Sequence, residues 1–149
     1  MKHWTKEVSI YAPIDKVWKL FDGSIEDIRR IMPNIINSER LTETEDEVGS
    51  VYRQVYQEGK RIHEYDVTTM EYANQKEYKK LTTAFLHGKM FRIITSYELV
   101  RVAENETTFR YITANEPLKW YIKPLLIFTG DGVVEKFVEH VKYIAEEEV

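Results

Sequence analysis

The stretch YAPIDKVWKLFDGSIED, residues 11–27, decides the fold, because it predicts two short helices directly after a strand. Pro13 cannot donate a backbone hydrogen bond but suits the first turn of a helix. The helix predicted over residues 14–21 has its apolar side chains on one face, and the Asp-Gly pair after it stops it. Ser24 and Asp27 then have the spacing of a capping box, which predicts the start of a second short helix.

On either side of this stretch the side chains alternate, which is typical of strands. Residues 2–11 form one such segment, with Trp4, Lys6, Val8 and Ile10 predicted on the same side. Residues 35–115 predict six more strands, because turn-forming residues recur at 45–47, 58–60, 73–75, 87–89 and 103–105. Turns this short join antiparallel neighbours, so we expect a seven-stranded antiparallel meander.

The last segment, residues 118–147, has the periodicity of one long helix. At about 1.5 Å per residue this helix would be ~45 Å long, enough to cover the inner face of a curved sheet. Gly130 and Gly132 interrupt it, so we expect a bend or break there, with Gly130 facing the sheet above a hollow. The predicted apolar stripe comprises Ile122, Leu126, Val133, Phe137, Val141 and Ile144.

The composition excludes several classes of function. The net charge is −4, with 21 basic residues mixed among 25 acidic ones, so no basic stripe is present to bind nucleic acid. The absence of cysteine excludes disulfides, thiol nucleophiles and thiolate zinc sites. The six glycines form no phosphate loop and the four histidines have no metal-binding spacing, so we expect neither a cofactor nor a metal.

No segment predicts a membrane span or an export signal. The longest wholly apolar run, residues 125–128, is too short to cross a bilayer. Residues 1–8 lack the apolar stretch of a secretory signal. We therefore expect a single domain over residues 1–149 with a cytoplasmic location.

Several local sequences resemble the START-like or SRPBCC superfamily, which includes pollen-allergen-like proteins, lipid-transfer domains and polyketide cyclases. They are APIDKVW at 12–18, which looks like the family's entry into its first helix, VGS at 48–50, the hairpin at Gly59 and FVEHVK at 137–142. The resemblance covers the whole chain and implies an α+β helix-grip fold. In that fold a seven-stranded curved antiparallel sheet wraps around a long C-terminal helix, with two short helices between strands 1 and 2. These motifs are structural, and a fold alone does not imply a function.

The aromatic content of 13%, with ten tyrosines, suggests a cavity wall that is apolar but can form hydrogen bonds. If Gly59 and Lys60 form a two-residue hairpin loop, Tyr56 lies opposite His63. A loop longer or shorter by one residue would invert the relation between the strands. With the two-residue loop, one face holds Tyr52, Gln54, Tyr56, His63, Tyr65 and Val67, and the other face pairs Arg53 with Asp66 and Val55 with Glu64.

Two later strands add further candidates. One carries Phe91, Ile93, Thr95, Tyr97 and Leu99 on one face, and the next carries Phe109, Tyr111 and Thr113. Plain core packing would select much the same residues. The candidate cavity residues are Tyr52, Gln54, Tyr56, His63, Tyr65, Tyr97, Tyr111, Leu126 and Gly130, and no catalytic residue is assigned.

The leading functional hypothesis is binding or carriage of a hydrophobic small molecule between the sheet and the C-terminal helix. A lipid, a polyketide or an aromatic metabolite would fit, with tyrosine hydroxyls, His63 and Gln54 fixing its orientation. One alternative is an enzyme of polyketide cyclase or aromatase type, in which the same tyrosine and histidine groups act as weak acids or bases. The other alternative is a chaperone-activator-like module whose partner is a protein.

Overall fold

A computed structural model of the protein describes residues 2–87, 90–118 and 131–147. In these parts of the chain, a strand and two short helices precede six strands and a C-terminal helix. None of these helices is both long and apolar enough to span a membrane. The elements are β1 Lys2–Ile10, α1 Ile14–Asp22, α2 Ile25–Ile31, β2 Ile35–Thr42, β3 Val51–Glu58, β4 Arg61–Asn74, β5 Tyr78–His87, β6 Phe91–Ala103, β7 Glu106–Pro117 and α3 Asp131–Glu146.

The strands of the described chain form one sheet in the order β1-β7-β6-β5-β4-β3-β2. Every neighbouring pair is antiparallel. From β2 onward each strand pairs with the next along the chain, and β1 joins the sheet beside β7. The predicted seven-stranded antiparallel sheet is confirmed. The turns predicted at 45–47, 58–60 and 103–105 lie between strands as expected, the turn predicted at 73–75 falls at 75–77, and residues 88 and 89 of the remaining turn lie outside the described residues.

The hairpin of β3 and β4 has the predicted register. Gly59 has a φ of 60°, a left-handed conformation that glycine adopts without strain, and it forms the turn together with the next residue. Tyr56 pairs with His63 on the inner face. On the outer face, the Arg53 Nε donates a hydrogen bond to the Asp66 carboxylate at 3.0 Å. The two predicted faces of this hairpin are confirmed.

The two short helices also form as predicted. The amide of Asp27 donates to the Ser24 hydroxyl at 3.2 Å, and the Ser24 amide donates to the Asp27 carboxylate at 3.3 Å. This capping box satisfies amides at the start of α2 that have no partner within the helix. The preceding helix, α1, begins after Pro13 and buries Ile14, Val17, Trp18, Leu20 and Phe21.

The C-terminal helix α3 buries Val134, Val138, Val141 and Ala145. The prediction that Val133 belongs to the apolar stripe is wrong, because Val133 is 47% exposed. The helical period of 3.6 residues leads back from Val141 through Val138 to Val134, which turns Val133 toward solvent. Phe137 and Ile144 are partly buried against the core.

The remaining expectations for the C-terminal segment fall on two glycines and the chain before them. Residues 119–130, including Leu126 and Gly130, lie outside the described residues. Gly132 lies in the first turn of α3 and is exposed. A Cβ added to Gly132 would meet no atom within 4 Å, so close packing does not require a glycine there.

The core lies where α1 and α3 pack on β1, β6 and β7. Phe109 is fully buried there. A row of rings crosses this core, with centroids 4.7 Å apart for Phe21 and Tyr97, 5.6 Å for Tyr97 and Tyr111, and 4.8 Å for Tyr111 and Phe137. The inner face of β3, β4 and β5 lies beside this row, on the side of α2, and that is where the cavity is found.

Candidate functional site

A cavity lies between the two short helices and the inner face of β3, β4, β5 and β6. It has two parts, with volumes of about 160 Å³ and about 180 Å³. We call the first part the polar end and the second the aromatic end, after the residues described below. Both parts are lined by Phe21, Ile28, Gln54, Val67, Leu81 and Thr83, so they adjoin each other.

The aromatic end is lined by Tyr56, Tyr65, Phe85 and Tyr97, and by Met32, Ile35 and Thr95. The ring centroids of Tyr65 and Phe85 are 4.9 Å apart, and those of Tyr56 and Tyr65 are 6.5 Å apart. Burial raises the pKa of both Tyr65 and Tyr97 above the ordinary value of 10.0, so both phenols stay neutral at physiological pH. This end therefore offers apolar surface with a few hydroxyl groups.

The polar end is lined by Asp22, Arg40, Glu47, Tyr52 and Tyr72. The Tyr72 hydroxyl donates to Asp22 Oδ2 at 2.7 Å. Arg40 Nη2 donates to the Tyr52 hydroxyl at 2.5 Å, and that hydroxyl donates to Glu47 Oε2 at 3.3 Å. Burial and the hydrogen bond to Asp22 raise the pKa of Tyr72 far above its ordinary value. This phenol is therefore a neutral donor.

Asp22 is the last residue of α1, and the glycine after it allows the chain to turn there. A Cβ at Gly23 would lie 2.4 Å from the Lys19 carbonyl oxygen, so no other residue fits without displacement. Asp22 lines the polar end and is itself exposed to solvent. Burial by the surrounding protein raises the pKa of the Asp22 carboxyl group above its ordinary value of 3.8, against the hydrogen bond from Tyr72, and repulsion from Glu47 adds to the increase.

A β-bulge in β4 turns Tyr72 into the cavity. The pairing of β4 with β5 shifts by one residue between Thr69 and Glu71. Side chains alternate along a regular strand, so this extra residue puts Thr69 and Tyr72 on the same face. Tyr72 then pairs with Leu81, another residue of the polar end.

The loop between β2 and β3 brings Glu47 to the polar end. Glu47 has a φ of 71°, which is uncommon for a residue other than glycine. Ser50 holds the loop: its hydroxyl accepts from the Thr44 amide at 3.1 Å, and its amide donates to the Glu47 carbonyl at 3.0 Å. Arg40 reaches the same point from β2, where it pairs with Tyr52.

Five of the predicted cavity residues share the wall of this cavity. Tyr52 lies at the polar end, Gln54 lines both ends, and Tyr56, Tyr65 and Tyr97 lie at the aromatic end. They meet there because the register of β3 and β4 aligns their inward faces, and β6 supplies Tyr97.

The other predicted residues lie elsewhere. His63 is on the same face but close to the hairpin turn, with its ring stacked on Tyr65 at a centroid distance of 6.1 Å. Tyr111 packs between Tyr97 and Phe137 in the core, and burial raises its pKa to about 12. The remaining two, Leu126 and Gly130, lie in the segment outside the described residues.

Sequence reasoning missed the charged residues of the polar end and the tyrosine that bonds to one of them, namely Asp22, Arg40, Glu47 and Tyr72. From the sequence, Asp22 was interpreted only as part of the Asp-Gly pair that ends a helix, and Glu47 only as part of a turn. Tyr72 depends on a bulge that the alternation does not reveal. One usable signal was present, since a carboxylate at the C-terminal end of a helix opposes the helix dipole.

The arrangement can do two things chemically. Its carboxylates accept hydrogen bonds or attract a cation, while its neutral phenols donate and accept hydrogen bonds. Within the described residues, no three His, Asp or Glu side chains are grouped so that they could hold a metal ion.

No protein-family model and no curated protein matches this sequence. Solved structures do match it over nearly the full chain. Ara h 8.0201 superposes with a TM-score of 0.70 at 12% identity, covering 97% of each chain. Truncated norcoclaurine synthase from Thalictrum flavum gives 0.67 at 14% identity, covering 99% of this chain and 95% of that one. A START superfamily protein from Mycobacterium smegmatis gives 0.68 at 14% identity, covering 97% of this chain and 94% of that one. The chain therefore has the START-like helix-grip fold, as its sequence motifs implied.

Proposed function

We propose that this protein binds and carries a hydrophobic small molecule, such as a lipid, a polyketide or an aromatic metabolite, without covalent chemistry. The observation that carries the proposal is the cavity itself, whose aromatic end is walled by Tyr56, Tyr65, Phe85 and Tyr97. A pocket with mostly apolar walls and a few converging polar groups is typical of small-molecule sites.

The size of the cavity limits the ligand. An engineered apolar cavity of about 150 Å³ accommodates benzene. Two adjoining parts of about 160 Å³ and about 180 Å³ therefore suit one or two fused rings, or a short chain, with a polar substituent. A long-chain lipid would require space beyond the cavity that the described residues enclose.

Two matched variants test the proposal. Thr83 lines both ends of the cavity from β5, so Thr83→Phe fills it. Thr68, on the neighbouring strand, lines a shallow groove on the outer face of the sheet, so Thr68→Phe introduces the same ring without entering the cavity.

The affinity for a neutral apolar fluorophore such as phenylnaphthylamine should fall about tenfold or more in Thr83→Phe and stay unchanged in Thr68→Phe. Native mass spectrometry of freshly purified wild-type protein should also show a bound molecule that solvent extraction releases. Equal affinities in all three proteins would count against binding in this cavity.

An enzyme of cyclase or aromatase type is the second candidate, and one contact favours it. Asp22 and Tyr72 are within hydrogen-bond reach, at 2.7 Å, and both line the polar end. Catalysis by acids and bases needs such a converging pair of titratable groups. Norcoclaurine synthase, which shares the fold, is an enzyme.

The two candidates differ in what happens to the ligand. The molecule extracted from the protein can be returned to ligand-free protein and its mass followed over time. A change of mass that is lost in Tyr72→Phe and in Asp22→Asn would support catalysis. An unchanged mass, with binding retained, would support carriage.

A further inference from the structure

We propose that the ligand carries a protonated amine, held by Asp22 and Glu47 at the polar end, on an apolar or aromatic body held by the aromatic end. This inference rests on the proposed function, because it uses the same cavity. It adds the chemical class of the ligand and the residues that select it.

The charges around the polar end favour a cation. The carboxylates of Glu43 and Glu47 pair with the guanidinium of Arg40, and Asp22 lines the same end of the cavity as Arg40 and Glu47. That guanidinium is already engaged, with Nη1 2.8 Å from Glu43 Oε1 and Nη2 3.5 Å from Glu47 Oε2. Among the ion pairs of the described residues, none includes Asp22. Arg40 lies close enough to attract the Asp22 carboxylate but forms no ion pair with it, so this carboxylate can pair with a ligand amine.

The position of Asp22 at the end of a helix is unfavourable for a negative charge. The last turn of α1 carries the negative end of the helix dipole, which repels an anion. The helix end does not need this charge, because the Gly23 amide already caps the Lys19 carbonyl at 2.9 Å. The Tyr72 hydroxyl could donate to the oxygen of an asparagine at this position in the same way. The fold therefore does not depend on this charge, and the exposed carboxylate is available to bind a cation.

The layout of the cavity fits a molecule with two distinct ends. An ammonium group donates three hydrogen bonds, and the oxygens of Asp22, Glu47 and Tyr52 are acceptors at one end. Phe21 and Val67 line both ends, so the walls next to these acceptors continue into the aromatic end. A cyclic body attached to the amine would bury its apolar surface there.

Three ligands with the same ring and different head groups test the inference. Naphthylethylamine, naphthylethanol and naphthylacetate are titrated into the protein at neutral pH and low salt, with naphthyl fluorescence as the readout. We expect the amine to bind about tenfold more tightly than the alcohol, because its hydrogen bonds to carboxylates are charge-assisted. The acetate should bind most weakly. Added salt should reduce the advantage of the amine.

The variant Asp22→Asn should reduce the amine-to-alcohol ratio of affinities severalfold, with the remaining preference supplied by Glu47. Its control is Glu64→Gln, which removes the same charge from an exposed residue on the outer face of β4 and should leave the ratio unchanged. Asp22→Asn should also raise Tm. If the carboxylate stabilised the fold, the same variant would lower Tm instead. Equal binding of amine and alcohol, or preference for the acetate, would overturn the amine inference while leaving the proposed function intact. Failure of all three ligands to bind would overturn both.

Discussion

Phe21 marks the border between the packed core and the cavity, and replacing it with alanine tests that division. Its side chain is 5% exposed, and its ring centroid lies 4.7 Å from Tyr97 and 5.3 Å from Phe109. It also lines both ends of the cavity. Removing a buried phenylalanine ring costs about 3–5 kcal/mol of unfolding free energy. Because one side of Phe21 faces open space and makes fewer contacts there, we expect about 3 kcal/mol for Phe21→Ala.

Phe109→Ala is the matched control. Phe109 is fully buried and packs between Phe21 and Tyr111, so its removal empties a site that has contacts on all sides. We expect about 5 kcal/mol for this variant. For a chain of 149 residues, an unfolding entropy of roughly 2.1 cal/mol/K per residue gives about 0.3 kcal/mol/K. The expected decreases in Tm are then about 10 °C for Phe21→Ala and about 16 °C for Phe109→Ala.

Urea unfolding, followed by tryptophan fluorescence and by circular dichroism, gives both free energies. Titration with neutral fluorophores of increasing size measures the cavity in the same variants. Phe21→Ala should admit a larger fluorophore than the wild type, and Phe109→Ala should not. Equal losses of stability, together with an unchanged limit on fluorophore size, would refute the conclusion that Phe21 borders open space.

Three further predictions concern single positions. Ser24→Ala removes the capping box of α2 and should lower stability by about 1 kcal/mol; a loss below the error of urea unfolding would mean that the cap is not needed. Gly59→Ala should destabilise the protein by about 1 kcal/mol, because alanine is strained at a φ of 60°. Gly132→Ala should stabilise it by up to about 1 kcal/mol, because Gly132 lies in open space on the helix α3. Effects of the same sign in the two variants would contradict this. The pKa of Asp22 is higher in the folded state than in the unfolded state, so the folded protein binds a proton more readily. The unfolding free energy should therefore rise as the pH falls from the folded-state pKa toward the ordinary value of 3.8. The stability difference between Asp22→Asn and wild type should therefore shrink over this range, and a growing difference would show that the pKa is lowered instead.

The fold could be predicted because its signals are local. Pro13 starts a helix, Ser24 and Asp27 cap the next one, and Gly59 turns a hairpin, and each of these acts within a few residues of itself. The hairpin length then sets the register, which decides which side chains point inward. For that reason the inner face of β3 and β4 could be predicted down to individual pairs such as Tyr56 with His63.

The polar end could not be predicted, because its residues meet only through tertiary structure. Asp22 ends a helix, Arg40 lies on an edge strand and Glu47 in a loop, so no common period relates them. Tyr72 points inward only because the bulge reverses the alternation of β4. The error at Val133 has a simpler cause, since adjacent valines at 133 and 134 fit a helical stripe almost equally well until packing selects one.

The position of α3 explains why the core and the cavity occupy different parts of the sheet. Lys142 Nζ donates to the Ser9 carbonyl at 2.7 Å, and the Tyr11 amide donates to the Glu146 carboxylate at 2.9 Å, so the end of α3 is tied to the chain at β1. β1 lies at the opposite edge of the sheet from β2 and β3. Buried contacts that hold the fold therefore concentrate on β1, β6 and β7, while β3, β4 and β5 supply most of the cavity wall. Substitutions of partly exposed residues in the cavity wall should then change ligand choice at little cost in stability, whereas Phe21 and Val67 are buried and Tyr97 packs against the core, so changes at these three should cost more.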